Sequence, residues 1–272
     1  MPKAQPHSSQ GNTQRQNLTF FFVILISLVF SSFSLIRVPP GPSGKANVIR
    51  VETVTFEASD GLEVTADEYI VSGSNPYILL LHEQQSSRGE FQTIARKLCK
   101  LDYNCLAVDL RNGGNNNFVS NLTTKQCRAM NCPTGTEDIS RDIEAAIQYA
   151  YKKSGQPVTL FGSSANGSLG LMVGKENEFV RAVVAFSPGE YFQPQLQVEE
   201  TIRGMRKPVF VTSSRMELPY VSQLVSGIDD EYLTLYEPEL GEGARGTATL
   251  TAENPNNSEY WLALMLFFKE LI

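Results

Sequence analysis

With 272 residues, 42% hydrophobic and 19% charged, the chain has a globular composition and is long enough, after its N-terminal part, for one domain with a sizeable core. Its net charge of −6 is unevenly placed: residues 1–50 hold five basic and no acidic residues, leaving 18 basic against 29 acidic after them. A domain this acidic, with no clustered basic run, repels phosphate backbones, so nucleic acid is excluded as the expected partner.

Residues 1–17 form a polar tail carrying Lys3 and Arg15. Leu18 to Ile36 (LTFFFVILISLVFSSFSLI) is uncharged and almost wholly apolar, long enough to reach across ~30 Å of hydrocarbon. A transmembrane anchor is the expected reading. A cleaved signal segment, with Ser32 and Ser34 as small residues before the cut, is the alternative. Basic residues flank both ends and leave the orientation open. Residues 37–47, rich in Pro and Gly, form a linker, and residues 48–272 form the domain.

Cysteines favour export of that domain. Cys99, Cys105, Cys127 and Cys132 are even in number and fall in two close pairs, so local bridges Cys99 to Cys105 and Cys127 to Cys132 are expected in an oxidising compartment. Four free thiols are the alternative; zinc is disfavoured because no CxxC pair or nearby histidine accompanies them. No metal and no cofactor is expected. The sequons at Asn121 and Asn256 decide nothing, since they count only in a eukaryotic secretory route.

Two β-rich runs, Val48 to Glu57 and Leu62 to Ile70, are joined by a turn at Ala58 to Gly61. Strands and helices then alternate. Strands are predicted at Tyr77–His82, Asn104–Leu110, Val158–Phe161, Ala182–Phe186, Val209–Thr212 and Tyr232–Tyr236. The helices between and after them are predicted at Glu90–Lys100, Asp138–Lys152, Ala165–Gly174, Leu196–Arg203, Tyr220–Ser226 and Tyr260–Leu271. Short continuous apolar strands such as YILLL and AVVAF predict an α/β fold, a mostly parallel sheet covered on both faces, with ligands at the carboxyl ends of its strands. Gly113 to Thr136 reads as one long Asn-rich loop, either an ordered flap over the site or a solvated insertion.

The run from Val158 to Gly167 (VTLFGSSANG) reads as a strand turning sharply into a helix with Ser164 at the apex, the nucleophile-elbow geometry. At a helix N-terminus the free N–H groups and partial positive charge favour a developing oxyanion. The Ala165 N–H supplies one donor, and the loop after Leu81, around Glu83 and Gln84, the other. A serine that merely caps the helix is the bland alternative. Asn166 stands where such elbows carry glycine, and so either distorts the turn or projects into the pocket. A serine needs a positioned base to take its proton, yet the chain has only His7 and His82. Tyr191 and Phe192, after a strand, are candidate pocket walls.

LLLHEQQSSRGEF (Leu79 to Phe91), YNCLAVDLRNGG (Tyr103 to Gly114), LFGSSANGSLGL (Leu160 to Leu171), AFSPGEYF (Ala185 to Phe192), PVFVTSSRMEL (Pro208 to Leu218) and YWLALMLFF (Tyr260 to Phe268) follow in order. On these pieces the domain resembles α/β-hydrolases of the dienelactone-hydrolase and esterase type. The resemblance implies the α/β-hydrolase fold and a triad of nucleophile, acid and histidine. It places Ser164 as nucleophile and Glu217, after the Val209–Thr212 strand, as acid. The histidine position falls in Gly241 to Thr247, where Arg245 stands instead. Arginine is no proton acceptor near neutral pH. The resemblance makes His82 a structural histidine of the oxyanion loop, and Glu83 a residue able to interact with the nucleophile.

These readings make the expected function that of an exported, membrane-tethered, esterase-type hydrolase-like protein, a pseudoenzyme with impaired or lost catalysis. It would bind a small acyl or ester ligand or a protein partner. The alternative is an active serine carboxylesterase using Ser164 with an unusual base such as Glu83; secretion after signal cleavage is the alternative to a tethered domain.

Overall fold

Gly61, at φ +82°, closes the turn that folds β1 (Arg50–Glu57) antiparallel onto β2 (Glu63–Ile70). These are among the first elements of the computed structural model, which describes residues 48–271. Leu18–Ile36 lies outside the described residues, and among those described no helix is long and apolar enough to cross a membrane. The described residues form one compact unit.

Six further strands complete the main sheet: β3 (Tyr77–Leu81), β4 (Asn104–Val108), β7 (Val158–Ser163), β8 (Val180–Phe186), β9 (Val209–Thr212) and β10 (Leu233–Tyr236). The order is β1-β2-β4-β3-β7-β8-β9-β10, and every pairing beyond β2–β4 is parallel. Alternation within the apolar strands sends Leu79 and Leu81 to one face and Ile78 and Leu80 to the other. Helices cover both faces. On the first, α3 (Thr136–Ser154) buries Ile139, Ile143, Ala146, Ile147 and Ala150, a stripe at helical spacing. Beside it pack α4 (Ser164–Glu176), α5 (Val198–Ile202) and α6 (Leu218–Val225). On the second face, α1 (Gln92–Leu98) contributes Ile94, Ala95 and Leu98, and α7 (Asn257–Glu270) contributes Tyr260, Trp261, Leu264, Phe267 and Phe268. Each fully buried side chain of this size stabilises by about 1.5–3 kcal/mol.

The stretch expected as one irregular loop is instead ordered. It holds a two-stranded hairpin, β5 (Asn115–Asn116) with β6 (Val119–Ser120), and then helix α2 (Leu122–Met130). Asn121 caps that helix by accepting from the Thr124 N–H at 2.7 Å, and at 2% exposure this sequon asparagine is out of reach of a glycan. Cys127 and Cys132 are bridged, as expected. The other expected bridge is absent. Cys99 and Cys105 are buried free thiols with their sulfurs 3.9 Å apart, each turned toward a backbone carbonyl, Tyr69 O and Ala95 O respectively. Burial pushes the Cys105 thiol well above its ordinary pKa.

Candidate active site

All six residues of β7 are buried, and the strand ends at Ser163, from which the chain turns into α4 through Ser164 at φ +55°. That conformation is costly for a residue with a Cβ and marks an elbow. Crowding at the turn falls on Gly162 and Gly167: a Cβ on Gly162 would lie 2.6 Å from the Gly167 Cα. Asn166 neither distorts the turn nor opens into a pocket. It is buried, donating through Nδ2 to His82 O at 2.6 Å and accepting from Asn112 Nδ2 at 3.1 Å, so it fastens α4 to the end of β3.

Ser164 is 3% exposed, and its Oγ accepts a hydrogen bond from Arg245 Nη2 at 2.8 Å. Among the described residues no imidazole or carboxylate is hydrogen-bonded to that oxygen. His82 is wholly buried and fully engaged elsewhere. Its Nε2 accepts from Leu110 N at 2.9 Å and from Asn121 Nδ2 at 3.1 Å, which makes Nδ1 the protonated nitrogen donating to Glu83 O at 2.7 Å. A histidine with both nitrogens committed orients the loop and carries no proton from Ser164.

Arg245 gathers the remaining expected residues around itself. Its Nε lies 3.5 Å from Glu83 Oε1 and 3.9 Å from Glu217 Oε1, and Nη2 reaches Tyr191 Oη at 3.3 Å. The guanidinium also sits 5.7 Å from the Tyr191 ring centroid, a cation–π arrangement. Glu217 stands just before α6, and its Oε2 accepts from Ser187 Oγ at 2.9 Å and Ser214 Oγ at 2.7 Å. Phe192, expected in the pocket, instead packs against the core on the α4 face, with its ring edge-to-face to that of Tyr191 at 6.5 Å between centroids.

The loop bearing Arg245 is held by residues that the sequence did not single out. Gly246 N donates to Ser187 Oγ at 2.8 Å and Thr247 N to Ser163 Oγ at 3.2 Å. Glu90 ties two loops together, accepting from Glu83 N at 2.9 Å and from the Thr247 hydroxyl. Glu90 read only as a first-turn helix residue, and Ser187, at φ +51°, had no local signal at all. The N–H groups of Ala165 and Gln84 have no acceptor among the described residues, Ala165 lying in the first turn of α4, where no intrahelical partner exists. Among the described residues, no cluster of three or more His, Cys, Asp or Glu could hold a metal ion.

Solved structures similar to the domain include esterases and dienelactone hydrolases. An esterase of Pyrococcus furiosus superposes with a TM-score of 0.62 at 16% identity, covering 82% of this chain and 91% of that one. A dienelactone hydrolase from Anabaena variabilis gives 0.62 at 15% identity, covering 82% and 98%. A dienelactone-hydrolase-like promiscuous phosphotriesterase from metagenomic libraries gives 0.57 at 16%, covering 82% and 98%. No family model and no curated protein sequence matches the chain. The domain therefore has the α/β-hydrolase fold, and its structural neighbours are of the dienelactone-hydrolase and esterase kind. At these identities the likeness speaks for the fold.

Proposed function

We propose that this chain is an exported, membrane-tethered protein of the α/β-hydrolase fold that binds a small acyl or ester-like ligand at Ser164 without turning it over efficiently. The observation that carries this reading is the Arg245 Nη2 donor 2.8 Å from Ser164 Oγ, in the place where the resemblance puts a proton acceptor. A guanidinium stays protonated at any ordinary pH and leaves the hydroxyl proton with no destination. Binding elements remain. The Ala165 and Gln84 N–H groups are available to a carbonyl oxygen, and Tyr191 offers an aromatic wall. Two carboxylates, Glu83 and Glu217, face one guanidinium, so a neutral carbonyl ligand suits the site better than an anion. The membrane tether is the apolar segment Leu18–Ile36, and the bridged Cys127–Cys132 pair supports an oxidising location for the domain.

Restoring an imidazole tests this reading. With Glu217 already fixed by two serine hydroxyls, Arg245→His should raise hydrolysis of p-nitrophenyl acetate by about 10²-fold, the lower part of what a general base supplies. The gain should vanish in the Ser164→Ala background. An unchanged rate in a folded Arg245→His protein would overturn the claim that a missing base is what limits the site.

A further inference from the structure

Phe118 combines two unfavourable features in one residue. Its side chain is fully exposed, and it sits at φ +62° in the turn between β5 and β6, directly after Asn117 at φ +46°. Two consecutive positive φ values make the kind of turn that Asn-Gly closes without strain. Placing phenylalanine there strains the backbone and also leaves an aromatic ring in water. The hairpin is rigidly mounted: Asn116 Nδ2 donates to Ser86 Oγ at 2.8 Å, Asn117 Nδ2 to Gly89 O at 2.9 Å, and Ser87 Oγ to Val119 O at 2.8 Å. Strained residues held this firmly are a mark of function.

The chain segment that carries this knob differs in charge from the rest of the domain. From Leu110 to Thr136 there is no acidic residue, in a domain where acidic residues otherwise dominate. The solvent face of α2 presents Leu122, Lys125, Gln126, Arg128, Ala129 and Met130, all exposed. Leu122, Lys125 and Gln126 border a groove whose other wall is Thr53 and Thr55 of β1, the outermost strand, with Glu63 as the one carboxylate along it. The described chain begins two residues before β1, so the tether enters the domain at this same edge of the sheet. Residues 37–49 can span at most ~45 Å, so a bilayer occupied by the apolar segment would be within that reach of β1.

We infer that the β5–β6 hairpin and α2 form a lipid-docking face, with the Phe118 ring entering the interface of a bilayer and Lys125 and Arg128 meeting anionic headgroups. Aromatic rings settle at the water–hydrocarbon boundary, and basic side chains near an anionic surface add attraction that falls off within a Debye length. The proximity argument rests on the tether proposed above; the face itself is a property of the described domain.

The test uses the full chain in nanodiscs carrying dibrominated lipid, with Phe118→Trp as the reporter against the single native Trp261, which is 8% exposed. Strong bromine quenching of the new indole in discs containing phosphatidylserine is expected. Reversing both basic charges, Lys125→Glu with Arg128→Glu, should weaken it about tenfold or more. Carbonate extraction reports the tether separately, since it does not involve residue 118. A retained chain whose new indole is unquenched, or is quenched only on adding a soluble acidic protein, overturns the inference. If the chain is not retained, residues 47–272, whose two core layers are complete, are sedimented with phosphatidylserine vesicles. Co-sedimentation lost in Phe118→Ser supports the docking face, and no co-sedimentation overturns it.

Discussion

At the level of single residues, the elbow serine was legible because its requirements are local: an apolar strand, small residues at the turn, and a helix after it. The identity of the residue standing over it was equally legible, since Arg245 occupies a glycine-flanked loop that the resemblance aligns. What the sequence hid was how the loop is held. Ser163, Ser187 and Glu90 reach it from distant parts of the chain, and no spacing rule announces such contacts. Gly246 is the sharpest case. It adopts φ +59°, and a Cβ there would lie 2.5 Å from Ser163 Oγ. Gly246→Ala should therefore lower stability by about 1–2 kcal/mol and shift Arg245 off the serine. Thermal melts read the first effect. The second is read by arginine-selective phenylglyoxal, which should modify Arg245 faster in the variant; an equal rate and an equal melting temperature would show that the loop tolerates the side chain.

Among the elements, the long strands and helices matched expectation because each carries a continuous apolar run or a helical stripe. Gly113 to Thr136 did not. Strands of two residues are below what periodicity can detect, and LTTKQCRAM has no apolar stripe to betray a helix. Its start signal, Asn121, was read as a sequon when its chemistry was that of a cap. One buried cation fastens this region to its neighbours. Arg111 donates to Asp142 Oδ1 at 2.7 Å on α3 and to Asp60 Oδ2 at 2.6 Å in the β1–β2 turn. The hydrogen bond from Arg111 holds the Asp60 carboxyl below its ordinary pKa, whereas burial raises that of Asp142. Arg111→Ala would strand the Asp142 carboxylate at 0% exposure and should cost about 3–5 kcal/mol. Chemical denaturation measures it, and a loss under ~1 kcal/mol would mean that the cluster is a surface-type pair of little consequence.

For the whole molecule, the parallel sheet with helices on both faces was the most readable feature, because a strand buried on both sides must be apolar throughout. The disulfide framework was half readable. Close spacing put both cysteine pairs within reach, but whether two sulfurs bond depends on side-chain direction: Cys127 and Cys132 meet at the end of α2, while Cys99 and Cys105 turn toward separate carbonyls. A hydrolase fold does not by itself make a hydrolase. On the function proposed above, the elbow, the helix N-terminus and the two N–H groups without an acceptor among the described residues would serve binding as well as catalysis, and the proton acceptor separates the two.

Fluorophosphonate labelling of the full chain reads that acceptor most directly, because the probe reacts with serine hydroxyls that a base has activated. With the Arg245 guanidinium as the one side-chain hydrogen-bond partner of its oxygen among the described residues, Ser164 should yield no adduct by peptide mass spectrometry, matching the Ser164→Ala control. Rapid, stoichiometric modification of Ser164 would contradict the account.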